Sequence, residues 1–507
     1  MSGRSSRVGV SSSLLQGVFA IAWAAIVAIA TVPWFIRLLG IEKYGLLGFL
    51  ATLQAAISLL DLGLGATINR EVARSAALDD LDHARRLLRS LEVVYVAVAA
   101  IIAIALVSAA PLIANSWLGP STLDRNEIHQ ALRLMGVVVA LRWPISLYMG
   151  TLVGLHRAQI SYRITATMTT IGNVGAILLL LYVDRTLWAY FIWQAASSLL
   201  YVLWARQSAW RELGSSISAR LDWGLLKGVL IQSAMMSGVA MSGLILTQLD
   251  KFVVSSSTAL GDFGRYVLAS VLPMGLSVLI IPTFNVIYPR LSALVAAGDL
   301  SEQIKYYRLG TRLFLSCLAP IALSAFFYSY DLLALWTGNS ALAAAAAPIA
   351  GLLCLGAALN GIMHFPYALQ LATGQTKLPF LINCVLLVIM LPLTIVLVRH
   401  YGALGGAIAW FSLNALYVVI GVNVTHIYLL PGLQKQWVLR DVAPALIIAT
   451  MFVFAGHYLA SMIGPNHFVR LVVATACSVA ATATVLFTYR DTRAMVIDAW
   501  RVACARF

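Results

Sequence analysis

Two triplets place a basic residue, an aromatic residue and a proline inside apolar stretches that are long enough to span a membrane. Arg142-Trp143-Pro144 lies in the middle of residues 131–155, and His364-Phe365-Pro366 lies in a later apolar stretch. A charge at bilayer depth costs at least about 2.5 kcal/mol. A proline frees backbone groups that only a cavity or a neighbouring helix can satisfy. Because the planar fork of arginine suits phosphate, Arg142 and His364 are candidate ligands for an anion such as a phosphate group.

Each triplet also has a reading without a ligand. Arg142 could pair with a carboxylate elsewhere in the chain, and His364 could be a histidine satisfied within the core. Arg133 lies nine residues before Arg142, on the opposite helix face and near the outer surface. We expect its side chain to snorkel to that surface.

Two carboxylates are candidates for coupling to H⁺ or Na⁺. Asp61, in the segment LLDLGLG, lies clearly inside an apolar span, and Asp250 closes another span beside Lys251. Asp61 could instead pair with Arg142 or cap a helix break at the following glycines. Asp250 could form an interfacial ion pair with Lys251.

Polar and aromatic residues at depth are candidates for contacting sugars, although packing and helix–helix hydrogen bonds explain such residues equally well. The candidates are Trp143, Trp193, Trp410, Gln194, Asn360 and Asn414. The five cysteines have no metal-ligand spacing, and the sequence contains neither a Walker A motif nor HExxH. We therefore expect no metal, no cofactor and no enzymatic activity.

The composition is that of an all-α polytopic membrane protein. Hydrophobic residues make up 61% of the 507 residues and charged residues only 11%. The net charge of +14 reflects basic cytoplasmic loops rather than a nucleic-acid partner. If the N-terminus is cytoplasmic, about three times as many Lys and Arg residues lie inside as outside, which predicts that both termini are cytoplasmic.

Apolar runs of about 20 residues predict about fourteen transmembrane helices. Their limits are 14–36, 44–67, 91–113, 130–154, 164–183, 187–205, 229–249, 266–289, 311–330, 346–371, 378–398, 403–428, 441–462 and 470–489. The longest break, 206–228, is predicted to be a cytoplasmic linker, or alternatively a lipid-surface helix that uses Leu221, Trp223 and Leu225.

A shift of about 220 residues aligns weak matches between the two halves. Arg70 meets Arg290, Asp79 meets Asp299, and Trp193 meets Trp410. The shift predicts two pseudo-symmetric bundles of six helices around a cavity. The predicted domains are an N-terminal bundle (1–205), the linker (206–228), a C-terminal bundle (229–428), and a final pair of helices with a cytoplasmic tail (429–507).

Ordered short motifs then resemble the polysaccharide flippases of the MATE-like superfamily. In the first half these are Arg37-x-x-Gly40-x-Glu42-x-Tyr44-Gly45, Leu60-Asp61-Leu62-Gly63-Leu64 and Arg70-Glu71. In the second half they are Asp250-Lys251, Gly264-x-Tyr266, Gly374-Gln-Thr-Lys377 and Tyr401-Gly402-x-x-Gly405. The resemblance covers nearly the whole chain.

The resemblance implies a substrate and a mechanism. The substrate is an oligosaccharide on a polyprenyl diphosphate, an O-antigen or exopolysaccharide repeat unit, which is flipped to the outer leaflet by alternating access with ion coupling. It also implies location in the bacterial inner membrane, among lipids and the polymerase and chain-length machinery of the same pathway. The alternatives are a cation-coupled multidrug antiporter and a membrane polymerase or ligase. A cationic drug would call for an acidic cavity, and an enzyme would call for a larger outer loop than this sequence has.

Overall fold

Long helices make up nearly all of the chain. The computed structural model describes residues 2–61, 63–214, 222, 224 and 238–504. Its main helices are α1 (Ser2–Leu39), α2 (Ile41–Ser58), α3 (Leu64–Ala77), α4 (Leu81–Leu112), α5 (Arg125–Arg142), α6 (Ile145–Gly154), α7 (Ala158–Tyr182), α8 (Leu187–Leu213), α9 (Gly238–Ser257), α10 (Leu260–Ala269), α11 (Val271–Ala296), α12 (Leu300–Phe327), α13 (Ser329–Thr337), α14 (Ser340–Ala372), α15 (Lys377–Leu416), α16 (Asn423–Leu429), α17 (Gln434–Gln436), α18 (Ala443–Ile463), α19 (His467–Thr488) and α20 (Arg490–Cys504).

Short segments of other helix types join some of these. Leu59–Asp61 is a 3₁₀-helix, and Ile113–Trp117, Tyr417–Val422 and Trp437–Val442 are π-helical.

The predicted all-α membrane fold is confirmed. Within the described residues, twelve helical stretches are long and apolar enough to cross a membrane. One of them, Lys377–Leu429, joins the predicted eleventh and twelfth spans across a non-helical Gly402 (φ 58°, ψ −136°). The predicted seventh span, 229–249, lies partly outside the described residues. The count of fourteen therefore stays a prediction.

The helices divide between two compact units. The first comprises Met1–Leu244 with Ser255–Gly264, and the second Ile245–Val254 with Arg265–Phe507. In the first unit, α5 packs against α4 and α8, and α7 packs against α1 and α8. In the second, α14 packs against α11, α12 and α15, while α18 and α19 pack against each other and against α12.

The predicted domain limits stay a prediction. Residues 206–213, at the start of the predicted linker, continue helix α8 to Leu213. Residues Leu221, Trp223 and Leu225, and with them the alternative of a lipid-surface helix, lie outside the described residues.

Local backbone geometry shows the repeat most clearly where α3 gives way to α4 and α11 to α12. Asp79 (φ 58°) and Gly298 (φ 69°) are both left-handed. The next residues, Asp80 and Asp299, cap α4 and α12 by accepting the backbone N–H three residues on, each at 3.0 Å. This bond from Glu302 lowers the pKa of the Asp299 carboxyl. The offset here is 219, so the alignment of Asp79 with Asp299 is one residue out.

Two glycines that are also 219 residues apart allow backbones to touch within the first unit. A Cβ built on Gly45 would lie 2.7 Å from the carbonyl oxygen of Leu260. A Cβ built on Gly264 would lie 2.2 Å from the carbonyl oxygen of Ile41. Because the opposing atoms belong to backbone, neither contact can relax by moving a side chain. The start of α2 and the start of α10 therefore pack reciprocally, and only glycine fits.

Gly264→Ala should destabilise the protein by about 1–3 kcal/mol, because the added methyl group overlaps the Ile41 carbonyl. Thermal unfolding in detergent measures this as a lower midpoint. Gly275→Ala is the matched control, since nothing lies within 4 Å of a Cβ at that helical position. The reciprocal contact is wrong if the two variants unfold at the same temperature.

Candidate anion-binding site

Arg142 is the last residue of α5, and its guanidinium is held by neutral side chains of α8. Its Nε donates to Ser198 Oγ at 2.9 Å, and its Nη2 donates to Gln194 Oε1 at 2.5 Å. In the part of the chain that the structure describes, Arg142 forms no ion pair. The side chain is partly exposed. Its positive charge is therefore positioned by protein groups but not neutralised by them.

The two acceptors are themselves fixed. Gln194 is 4% exposed and its Nε2 donates to the Gly172 carbonyl at 3.3 Å. Ser198 is 2% exposed and its hydroxyl donates to the Gln194 carbonyl at 2.6 Å. The guanidinium of Arg142 therefore donates to side chains that are themselves held in place by hydrogen bonds. The Gln194 side chain is already bonded to Arg142, and its role in sugar contact stays a prediction.

The position of Arg142 depends on a helix break. Pro144 has no N–H to continue the ladder, and the chain turns at Trp143 and Pro144 before α6 begins at Ile145. Trp143 is buried, with its ring 5.8 Å from that of Tyr95. Among the described residues its Nε1 has no hydrogen-bond partner. A role for Trp143 in binding sugar therefore stays a prediction that requires movement of this packed indole.

Asp61 lies beside this break and caps a helix. Its carboxylate accepts the backbone N–H of Gly65 at 3.2 Å, in the first turn of α3. It also accepts from the hydroxyls of Tyr95 and Ser146, the latter at 3.3 Å. Of the alternatives for Asp61, this geometry shows the cap and shows no pairing with Arg142. Its role in ion coupling stays a prediction.

Arg133 differs from Arg142 although both belong to α5. Its side chain is exposed, as expected of a snorkelling arginine. The pair therefore offers a comparison within one helix, since one arginine is held by buried groups and the other is not buried.

In the second unit, His364, Asn360 and Asn414 come together. His364 Nδ1 lies 2.9 Å from the Asn360 carbonyl oxygen, to which it donates. Asn360 Nδ2 donates to Asn414 Oδ1 at 2.9 Å, linking α14 to α15. Asn414 Nδ2 in turn donates to the Trp410 carbonyl at 2.8 Å. These predicted site residues form one connected polar cluster, and their roles in substrate binding stay predictions.

The repeat predicted from the sequence would align the triplet at Arg142 with the triplet at His364, 222 residues later, but the helix ends give a different register. α6 ends at Gly154 and α14 at Ala372, and left-handed residues follow at His156 and Gly374. Both pairs give a local offset of 218, which aligns Arg142 with Asn360. His364 lies one helical turn further along, about 6 Å. The counterpart of the Arg142 bridge is thus the bridge between Asn360 and Asn414, because α5 breaks at its proline whereas α14 continues through Pro366.

Trp193 and Trp410 pack against glycines. A Cβ on Gly175 would lie 2.3 Å from the indole of Trp193, whose Nε1 donates to the Ile171 carbonyl at 3.1 Å. A Cβ on Gly356 would lie 2.5 Å from the indole of Trp410. Both rings serve helix packing in this conformation, and their contact with sugars stays a prediction.

Asp250 is buried, and one of its oxygens lacks a partner. The residue is 4% exposed, and its Oδ2 accepts from the Tyr266 hydroxyl. In the described ranges Oδ1 has no hydrogen-bond partner. The neighbouring Lys251 ammonium donates to the Thr247 carbonyl at 3.4 Å instead.

Sequence reasoning missed buried carboxylates that anchor helices, and Glu92 and Asp441 are two of them. Glu92, 4% exposed, accepts from Arg206 Nε at 2.6 Å, Arg89 Nη1 at 3.0 Å and the Tyr148 hydroxyl at 2.8 Å. The second is Asp441. It is fully buried and pairs with Arg308 at 2.7 Å and Arg312 at 2.6 Å. Both acids stand at the very start of a predicted span, where an acid looks like an interfacial residue.

Comparisons with known proteins agree with this architecture. A family model described as "Polysaccharide biosynthesis protein" matches residues 14–295. A Shigella flexneri protein named "Putative O-antigen transporter" is 22% identical over 405 residues, which cover 80% of this chain and 94% of that protein.

Solved structures give the fold. Lipid II flippase MurJ, in an inward closed conformation, superposes with a TM-score of 0.70 at 16% identity, covering 94% of this chain and 99% of its own. An inward-facing multidrug resistance MATE family transporter of the MOP superfamily gives 0.65 at 14% identity, covering 83% and 96%. The predicted MATE-like fold is confirmed.

Replacing Gln194 by Met should lower the thermal midpoint in detergent, since the Arg142 guanidinium would lose one of its two buried acceptors at a cost of about 1–3 kcal/mol. Gln54→Met is the control. The Gln54 Nε2 is buried without a partner among the described residues, so removing that amide should be neutral or stabilising. Equal shifts for the two variants would show that Gln194 does not support Arg142.

Proposed function

This chain belongs to the polysaccharide biosynthesis protein family, and on that premise we propose that it flips a lipid-linked oligosaccharide across the bacterial plasma membrane. The substrate is an O-antigen or exopolysaccharide repeat unit on a polyprenyl diphosphate. It moves from the cytoplasmic to the outer leaflet by alternating access. Its lipid tail stays in the bilayer while the polar head group crosses through the protein.

The observation that carries the proposal is the uncompensated guanidinium of Arg142. Its hydrogen bonds to Ser198 and Gln194 use two of the five N–H donors of an arginine. The remaining donors and the full positive charge are available to a ligand. A diphosphate supplies both the missing negative charge and several acceptor oxygens. The same charge disfavours the cationic substrates that a multidrug antiporter on this fold would carry.

Asp250 is the proposed site of ion coupling. A proton or a cation could bind at the unpartnered Oδ1 of this buried carboxyl. Release of that ion on the other side of the membrane would then couple the ion gradient to the conformational cycle. Asp61 differs in that its carboxylate already accepts three hydrogen bonds.

Arg142→Ala should abolish export of the glycan, and Arg142→Lys should retain part of it, because lysine keeps the charge but loses the fork. Loss of charge-assisted hydrogen bonds to a diphosphate predicts a decrease of about tenfold or more. The measurement is surface glycan in a deletion strain complemented with each variant, normalised to the amount of protein in the membrane.

Arg133→Ala is the matched control and should export normally, because that arginine is exposed on the same helix. Normal export by Arg142→Ala would contradict the anion site. Accumulation of single lipid-linked units on the outer leaflet of the deletion strain, rather than the cytoplasmic leaflet, would indicate a polymerase or ligase instead.

Asp250→Asn should bind substrate normally but lose gradient-driven transport, because asparagine imitates the neutral acid permanently. Proteoliposomes with an imposed H⁺ or Na⁺ gradient provide the measurement. Asp61→Asn should remain gradient-dependent, since asparagine also caps helices. Gradient-dependent transport by Asp250→Asn would assign the coupling to another group.

A further inference from the structure

Four aromatic rings meet on one side of α11 and α14 in the second unit. Phe284 lies at their centre. Its ring is 5.7 Å from that of Tyr288 at an interplanar angle of 4°, and 5.8 Å from that of Tyr367 at 20°. The imidazole of His364 meets it edge-on, at 5.6 Å and 83°. We call these four residues the aromatic platform.

The aromatic platform packs against the buried core and remains partly exposed. Phe284 and Tyr288 pack against a buried cluster to which the same helix contributes Ile280, Ile287 and Leu291. All four rings nevertheless remain partly exposed. Rings one turn apart on a helix, with their backs against a core, are held in place without help from a ligand.

The polar tips of the platform have no partners in the described part of the chain. The hydroxyls of Tyr288 and Tyr367 make no hydrogen bond there. His364 donates from Nδ1 to the Asn360 carbonyl, which leaves Nε2 as a free acceptor in the neutral ring. Hydrocarbon cannot satisfy such groups, so they require water or a ligand rich in hydroxyls.

We propose that the aromatic platform is a carbohydrate subsite, on which a sugar ring of the lipid-linked oligosaccharide stacks. The apolar C–H face of a pyranose packs against the exposed part of these stacked rings, while its hydroxyls reach the tyrosine hydroxyls and the histidine nitrogen. This inference rests on the proposed function, and it assigns the sugar to residues other than those that hold the diphosphate. It also gives His364 a role with sugar instead of phosphate.

Binding to two ligands tests the subsite. One is the lipid-linked oligosaccharide extracted from a strain that lacks this protein. The other is the same polyprenyl diphosphate without sugar. Full-length protein in nanodiscs is titrated with each, comparing wild type, Phe284→Leu, and Tyr367→Phe, which removes only a hydroxyl. Phe380→Leu, which alters an exposed ring on α15, is the matched control.

Phe284→Leu should weaken binding of the oligosaccharide ligand about three- to tenfold and leave binding of the sugar-free lipid unchanged, as expected from loss of one aromatic contact. Tyr367→Phe should weaken binding of the oligosaccharide ligand by a smaller factor. Phe380→Leu should leave the binding of both ligands unchanged. If Phe284→Leu changes the binding of both ligands equally, or of neither, the subsite is wrong. That result is also expected if these rings only line the membrane interface. A wild-type protein that binds neither ligand would overturn the proposed function and the subsite with it.

Discussion

An arginine inside an apolar helix, with no negative charge among the described residues to neutralise it, is the constraint on which the arrangement around it depends. Placing a guanidinium at bilayer depth costs at least about 2.5 kcal/mol. The chain offsets part of this with two neutral acceptors from α8, each fixed by a further hydrogen bond. The break at Pro144 ends α5 at this arginine. In the described residues no carboxylate neutralises this charge, and this is the basis of the proposal that a ligand does.

Other buried charges in the described residues show the contrast. Glu92 ties α4 to α8 through Arg206, and Asp441 joins the segment before α18 to α12 through Arg308 and Arg312. Asp331 joins α13 to α19 through His467 and Arg470. In each case a basic side chain on another helix pairs with the buried carboxylate, so these contacts hold helices together. Within the second unit, Asp441 attaches the segment before α18 to α12, and Asp331 attaches α19 to α13. Arg142 lacks such a pairing among the described residues, which is why we propose that it binds a ligand.

Much of this could be predicted from sequence, because hydrophobicity and charge act locally. The length of the apolar runs gave the membrane fold, and the cost of a buried charge singled out Arg142. The repeat was detectable from the sequence, but its register was not. Because α5 breaks at Pro144 while α14 runs through Pro366, His364 lies one helical turn beyond the position that corresponds to Arg142. Glu92 is held by Arg206, 114 residues away, and no local pattern encodes such a pairing. Phe284 and Tyr288 escaped notice because aromatic residues in an apolar run resemble packing.

The most direct test of the account is the preference of the protein for a diphosphate over a monophosphate. Binding of farnesyl diphosphate and farnesyl phosphate to the protein in nanodiscs can be measured by calorimetry, for wild type and Arg142→Ala. The account predicts that wild type prefers the diphosphate by about tenfold or more, and that the preference disappears in the variant. A preference of the same size in Arg142→Ala would contradict the assignment of Arg142 as the diphosphate ligand.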